Sequence, residues 1–271
     1  MALLWLRVAL VCYTVGLLYA LVALTRASSW LERVALHAAY LGMVFQFVSL
    51  TEGFRLSGQF SLASAHSAES VLAFLIMAIF MIVYLIYRTT SPGIVIFPVV
   101  FLLVFVACTG EQAFMRMLPG MREGWLIAHI TLIFAGYAAL ILSFGSSLIY
   151  LLQERSLKSK KASGMLAQLP ALEVLDQMSF RLLLFGFPFM TLGLIAGVIV
   201  EEATYGHVAY LDPKFLLSIL MWAVYLLLLY TRWSAGWRGR RAAYLATGAF
   251  AAAVIAWAAN YFSAIHRFVR S

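Results

Sequence analysis

The sequence predicts an all-α integral membrane protein, a single bundle of about eight transmembrane helices, and three observations carry that expectation. Of its 271 residues, 64% are hydrophobic and 11% are charged, against about 45–50% and about 25% in soluble domains. This composition excludes a soluble enzyme with one core. It equally excludes a disordered chain, which needs few apolar residues and high charge. The apolar residues gather into eight runs near the length of about 20 residues that a helix needs to cross a bilayer. The runs are also apolar on nearly every face, as over 71–80, whereas a barrel strand alternates over about 10 residues. Eight spans take roughly 160 residues and leave about 110 for loops and ends, so 1–271 is expected to be one polytopic domain.

The first run covers 4–25. No basic region precedes it and Arg7 interrupts it, so it is expected to be a retained span rather than a cleaved signal peptide. The second and third cover 32–50 and 68–87. The fourth, 92–109, begins at Ser91-Pro92-Gly93. Proline suits a first helical turn, where its missing N–H would have been unpaired anyway, so the third and fourth spans are expected to form a tight helical hairpin. The fifth covers 124–152 and is followed by a basic connection from Glu154 to Gln177, expected as a short amphipathic or flexible link. The sixth, 180–200, contains Gly186, Pro188, Gly193 and Gly197. An acidic, aromatic connection then leads to Asp212-Pro213, which reads as a helix start with aspartate as N-cap and proline at the first helical position. The seventh and eighth spans cover 213–231 and 240–264, separated by Trp237-Arg238-Gly239-Arg240-Arg241.

Charge placement sets the expected orientation. Twelve of the 19 Lys and Arg residues fall on one set of connections, among them Arg26, Arg88, Lys160, Arg181 and Arg241. The opposite side holds seven, together with Glu52, Glu69, Glu111, Glu123, Glu201, Glu202 and Asp212. Basic connections stay in the cytoplasm, so with eight spans both termini are expected outside, in the cytoplasmic (inner) membrane of a bacterium. The 237–241 cluster reads as an anchor at the lipid headgroups. Nucleic acid is excluded as a partner, because no domain is left to present a groove-reading element.

Four of the five histidines, His66, His129, His207 and His266, then fall at or near the outer face, with His37 in the cytoplasmic half of the second span. His129 lies about 8 Å along its helix from Gly124 at 1.5 Å per residue. Two neutral imidazoles from different helices near one bilayer face can hold a metal ion or supply both axial ligands of a haem iron. Separate interfacial histidines, each bonded to a neighbouring helix, are the plainer reading, and spacing alone leaves both open. Tyr205, His207 and Tyr210 could offer a flat surface to a porphyrin or simply belong to the aromatic belt. Cys12 and Cys108 form no metal motif and read as small buried hydrophobes. Zinc-protease helix motifs, serine-hydrolase motifs and phosphate-binding loops do not occur.

The order of segments resembles the membrane family that handles haem for cytochrome c assembly, of the CcsA and CcmC kind, and within it the HemX-like branch. The resemblance rests on Asp212-Pro213-Lys214, Trp222, Tyr225 and Gly236-Trp237-Arg238-Gly239-Arg240-Arg241-Ala242-Ala243, followed by a span ending at His266. It extends to Glu69-Ser70, with His66 where that family has an asparagine, and to Trp125, His129, Gly136-Tyr137-Ala138-Ala139 and Tyr150. It covers about 30–268 and is strongest over 201–266. It implies a non-covalent haem, expected as haem b, at the outer face. The iron would lie between His129 and His266, and the loop with Tyr205, His207, Tyr210 and Asp212 would cradle the ring; His37 is the candidate for haem in transit. The partners implied are haem, an apocytochrome or another assembly membrane protein. The family's tryptophan-rich loop before Pro-Lys is here Tyr205, His207, Tyr210 and Leu211, with only Asp212 kept. Tryptophan supplies large flat contact area, so its loss implies haem carriage rather than complete haem-lyase activity. Two other classes stay open: a small-molecule transporter, which would want a broken helix at the bilayer midplane, and a structural or regulatory subunit without ligand.

Overall fold

A computed structural model describes residues 1–23, 28–57, 65–109, 121–159, 169–208 and 210–258. Among these residues the chain forms eight α-helices and no strand: α1 (Ala2–Ala23), α2 (Ser29–Ser57), α3 (Ala65–Tyr87), α4 (Gly93–Thr109), α5 (Met121–Lys158), α6 (Leu172–Tyr205), α7 (Pro213–Trp233) and α8 (Arg240–Ala258). Helix is the form in which every backbone polar group is satisfied within its own segment, which hydrocarbon demands. Six of them, α1, α2, α3, α5, α6 and α7, are long and apolar enough to cross a membrane, and the chain is a multi-pass membrane protein. Of the other two expected spans, α4 is apolar but has 17 residues, and α8 is described only as far as Ala258.

Neighbouring helices run antiparallel, as their side-chain pairings show. Ser143 of α5 meets Ser179 of α6 at 2.8 Å, while His129 of α5 meets Gly193 at 2.7 Å. Likewise Arg232 of α7 meets Asp176 and Trp222 meets Thr191. In each pair, partner numbers rise as the others fall. One cluster of buried side chains gathers α1 to α6 around Tyr13, Phe80 and Phe97. A second, Leu140, Leu183, Met190, Met221 and Tyr225, joins α5, α6, α7 and α8.

Lipid tails are as apolar as leucine, so helices associate here through close packing and interhelical hydrogen bonds rather than hydrophobic expulsion. Leu184, Phe185 and Leu192 of α6 accordingly face outward. The α5–α6 seam carries small and hydroxylated residues instead: Ala138, Ala139, Ser143, Ser147 and Ser179, all buried, with both serines of α5 on the Ser179 hydroxyl.

The expected helix starts hold. Pro92 accepts from the Val95 and Ile96 amides, closing a five-residue α3–α4 turn, 88–92. Asp212 precedes α7, and its carbonyl accepts the Leu216 N–H at 3.0 Å. The 154–177 link is corrected: α5 continues to Lys158 and α6 begins at Leu172, leaving 159–171 as the connection. Hydropathy marks the hydrocarbon slab, not the helix. These extensions are held by tertiary contacts, with Leu175 and Met178 fully buried and Gln153 donating to the Pro170 carbonyl. The cysteines are half-buried rather than buried.

Candidate functional site

Antiparallel pairing brings the expected outer ends of α5, α6 and α7 together, and a cavity of about 320 Å³ opens between them. His129, Thr191, Gly197, Glu201, Phe215 and Trp222 are among the residues that line it, with Ser218 and aliphatic side chains of α6 and α7 completing its walls. This size and this balance, mostly apolar with a few convergent polar groups, are those of a small-molecule site.

His129, Trp222 and Thr191 are each held by a hydrogen bond in the cavity wall. The His129 Nδ1 lies 2.7 Å from the Gly193 carbonyl oxygen. The Trp222 Nε1–H donates to the Thr191 hydroxyl at 3.0 Å, and that hydroxyl donates to the Phe187 carbonyl one turn back at 2.9 Å. The Trp222 ring also stacks on Phe187, centroids 5.8 Å apart, so the indole presents a fixed flat face. Glu201 is buried at the same end, near the last turn of α6. That helix stops at Gly206, whose φ of +73° is the left-handed conformation glycine adopts freely and whose N–H caps the Glu202 carbonyl.

The residues expected from the sequence are placed unevenly. His129 is in the cavity wall. His266 lies outside the described residues, so its pairing with His129 remains an expectation. Of the outer loop, Asp212 is buried at the head of α7, while His207 is exposed. Tyr210 is 63% exposed and meets Phe215 edge-on, centroids 5.6 Å apart. The Tyr205 and His66 side chains also lie outside what is described. His37 is exposed on α2, with its Nδ1 2.6 Å from the Arg33 carbonyl of its own helix. Among the described residues no group of three or more metal-ligating side chains occurs.

What the sequence reading did not assign to the site are Gly193, Gly197, Thr191, Glu201 and the aromatic wall of Trp222 and Phe215. The available signal was the Gly193-x-x-x-Gly197 spacing, which allows close helix approach. Trp222, one of the residues that carry the resemblance, lies in the cavity wall.

The sequence is similar to those of known proteins. The sequence model described as cytochrome C assembly protein matches residues 63–265. The chain is 28% identical over 222 residues to the cytochrome c biogenesis protein CcsA of Guillardia theta, covering 74% of this chain and 72% of that one. It is 26% identical over 226 residues to the protein of that name from Chlorella vulgaris, covering 72% of each. With the Synechococcus sp. (strain CC9902) CcsA it shares 32% identity over 157 residues, 50% of this chain and 51% of that one. The matched region takes in the cavity helices α5, α6 and α7. With a match over most of its length, the chain belongs to the cytochrome c assembly protein family.

Proposed function

We propose that this protein carries haem for cytochrome c assembly, holding it non-covalently at the outer face of the membrane with His129 as one axial ligand and His266 as the other. The observation that carries this reading is His129 in the wall of an apolar, aromatic cavity between α5, α6 and α7. A haem is a broad apolar plate whose iron accepts imidazole, and the residues present fit it. His129 offers an imidazole, Trp222 offers a rigid flat face, and Phe215 and the aliphatic side chains of α6 and α7 make most of the remaining wall. The relatives named for cytochrome c biogenesis support the setting.

In this reading haem is cargo. His129 holds the iron, Trp222 and Phe215 contact the ring, and the bundle keeps water from the buried side. An apocytochrome or another assembly membrane protein is the recipient, and the membrane is the cytoplasmic membrane of a bacterium. Carriage rather than covalent attachment follows from the outer loop. Attachment requires the cargo held in a reacting geometry, and the loop has Tyr205, His207 and Tyr210 where tryptophan would supply more flat contact area.

The test is the optical spectrum of detergent-purified protein titrated with haem. The wild type is expected to give a low-spin, bis-imidazole spectrum. His129→Ala and His266→Ala are each expected to lose it and to regain it with added imidazole. A wild type that takes up no haem, or an unchanged spectrum in the double variant, overturns the reading.

A further inference from the structure

His129 owes its place to two glycines on the neighbouring helix. A Cβ at position 193 would lie 2.8 Å from the Ile133 side chain and 2.9 Å from the Ile133 backbone nitrogen. A Cβ at position 197 would lie 2.6 Å from Cε1 and 2.8 Å from Nδ1 of His129. Side-chain carbons do not approach other atoms this closely, so α5 and α6 meet at this distance only because both positions are glycine. The close approach puts the Gly193 carbonyl oxygen 2.7 Å from His129 Nδ1.

A carbonyl can only accept, and a neutral imidazole has one N–H. The proton therefore resides on Nδ1, and the lone pair that can bind a metal resides on Nε2. The same carbonyl also receives the Gly197 N–H within the helix, and its two lone pairs accommodate both donors. Backbone carbonyls that take the second N–H of a ligating histidine orient the ring and make it a better donor; loss of such a partner typically costs about 10–100-fold in metal affinity.

We propose that Gly193 and Gly197 are positioning residues, a notch in α6 that fixes His129 in the Nδ1–H tautomer and sets its ring in the cavity wall so that Nε2 is the ligating atom. This rests on the haem reading for its purpose, but the tautomer is a property of the ligand-free protein and is measured separately. Glycine at 197 makes room for the ring, and the carbonyl of 193 orients it.

The experiment uses the full chain, purified in detergent with 15N-labelled histidine and without haem. The His129 signals are assigned by their loss in His129→Gln. The expected spectrum at neutral pH has a protonated Nδ1 and an unprotonated Nε2. The opposite tautomer, or a rapidly exchanging mixture, overturns the proposal whether or not haem binds. Gly197→Ala is expected to disturb this signature and to weaken haem binding about 10–100-fold. Gly248→Ala, where a Cβ meets nothing within 4 Å, is expected to change neither. A folded Gly197→Ala protein with an unaltered His129 signature overturns the notch. If Gly197→Ala does not fold, the wild-type tautomer alone decides. A wild type with the expected tautomer but no haem uptake would count against the haem reading and not against the notch.

Discussion

Tyr13 and Gln46 show how single polar side chains are accommodated where no water is available. Both are fully buried, between α1 and α2. The Tyr13 hydroxyl donates to Gln46 Oε1 at 2.8 Å, and the Gln46 amide donates to the Ser70 carbonyl of α3 at 2.9 Å. The bland alternative for such residues, a random polar intrusion, would leave atoms unpaired; here one glutamine bridges three helices. Removing one partner leaves the other with its full desolvation cost, whereas the pair's net worth in membranes is smaller. Tyr13→Phe is therefore expected to destabilise the bundle by about 1–2 kcal/mol, because it strands the Gln46 oxygen. Unfolding of the detergent-solubilised variant measures this, and no loss of stability would mean that the Gln46 oxygen finds another donor.

At the scale of elements, the turn between α7 and α8 is organised from α6. Asp176 receives both terminal nitrogens of Arg232, at 2.8 and 2.6 Å, and the Gly239 N–H at 2.9 Å. The two side chains are 8% and 12% exposed, and the Arg232 guanidinium also lies 4.8 Å over the Phe180 ring. Gly239 has φ +65°, and a Cβ there would also meet the Tyr150 hydroxyl at 2.6 Å. One carboxylate thus ties the first turns of α6 to the end of α7 and the start of α8, inside the segment read from the sequence as a headgroup anchor. Breaking a buried ion pair by removing one partner costs about 3–5 kcal/mol, against about 0–1 for an exposed pair. Asp176→Ala is expected in the upper range, with Asp176→Ala plus Arg232→Met recovering part of the loss in a double-mutant cycle. A single-variant loss below about 1 kcal/mol would show the pair to be solvated.

For the whole molecule, the antiparallel order of the helices and the charge asymmetry of the connections make one testable statement about orientation. The Asp176–Arg232 end of the bundle belongs to the side with twelve of the 19 basic residues, and the His129 end to the acidic side. The first should face the cytoplasm. A reporter active only in the cytoplasm is expected to stay silent when fused after Ser271 and to be active when inserted at residue 165, between α5 and α6. The reverse pattern would invert the bundle and put the His129 cavity on the cytoplasmic side; activity at both sites would change the number of spans.

Membrane class, helical form and the existence of each helix were legible in the sequence because hydrocarbon imposes one rule on every residue of a span, and composition over about 20 residues records it. Pro92 and Asp212-Pro213 were legible as helix starts because capping is local chemistry, settled within one turn. His129 was legible as a candidate because an ionisable side chain within a span is costly enough to need a reason. The rest depended on contacts distant in sequence. Gly193 and Gly197 belong to the cavity region of α5 and α6, but their meaning appears only when His129, more than 60 residues away, is seen against them. The extra turns of α5 and α6 beyond the apolar runs are held by Asp176, Arg232 and Gln153, polar residues that hydropathy reads as loop. Trp222 in the cavity wall was likewise not legible as part of a site, because the Thr191 hydroxyl that holds the indole comes from another helix. Local patterns record how a segment meets its solvent; only the packing of α5, α6 and α7 selects which side chains meet each other and so which of them share a site.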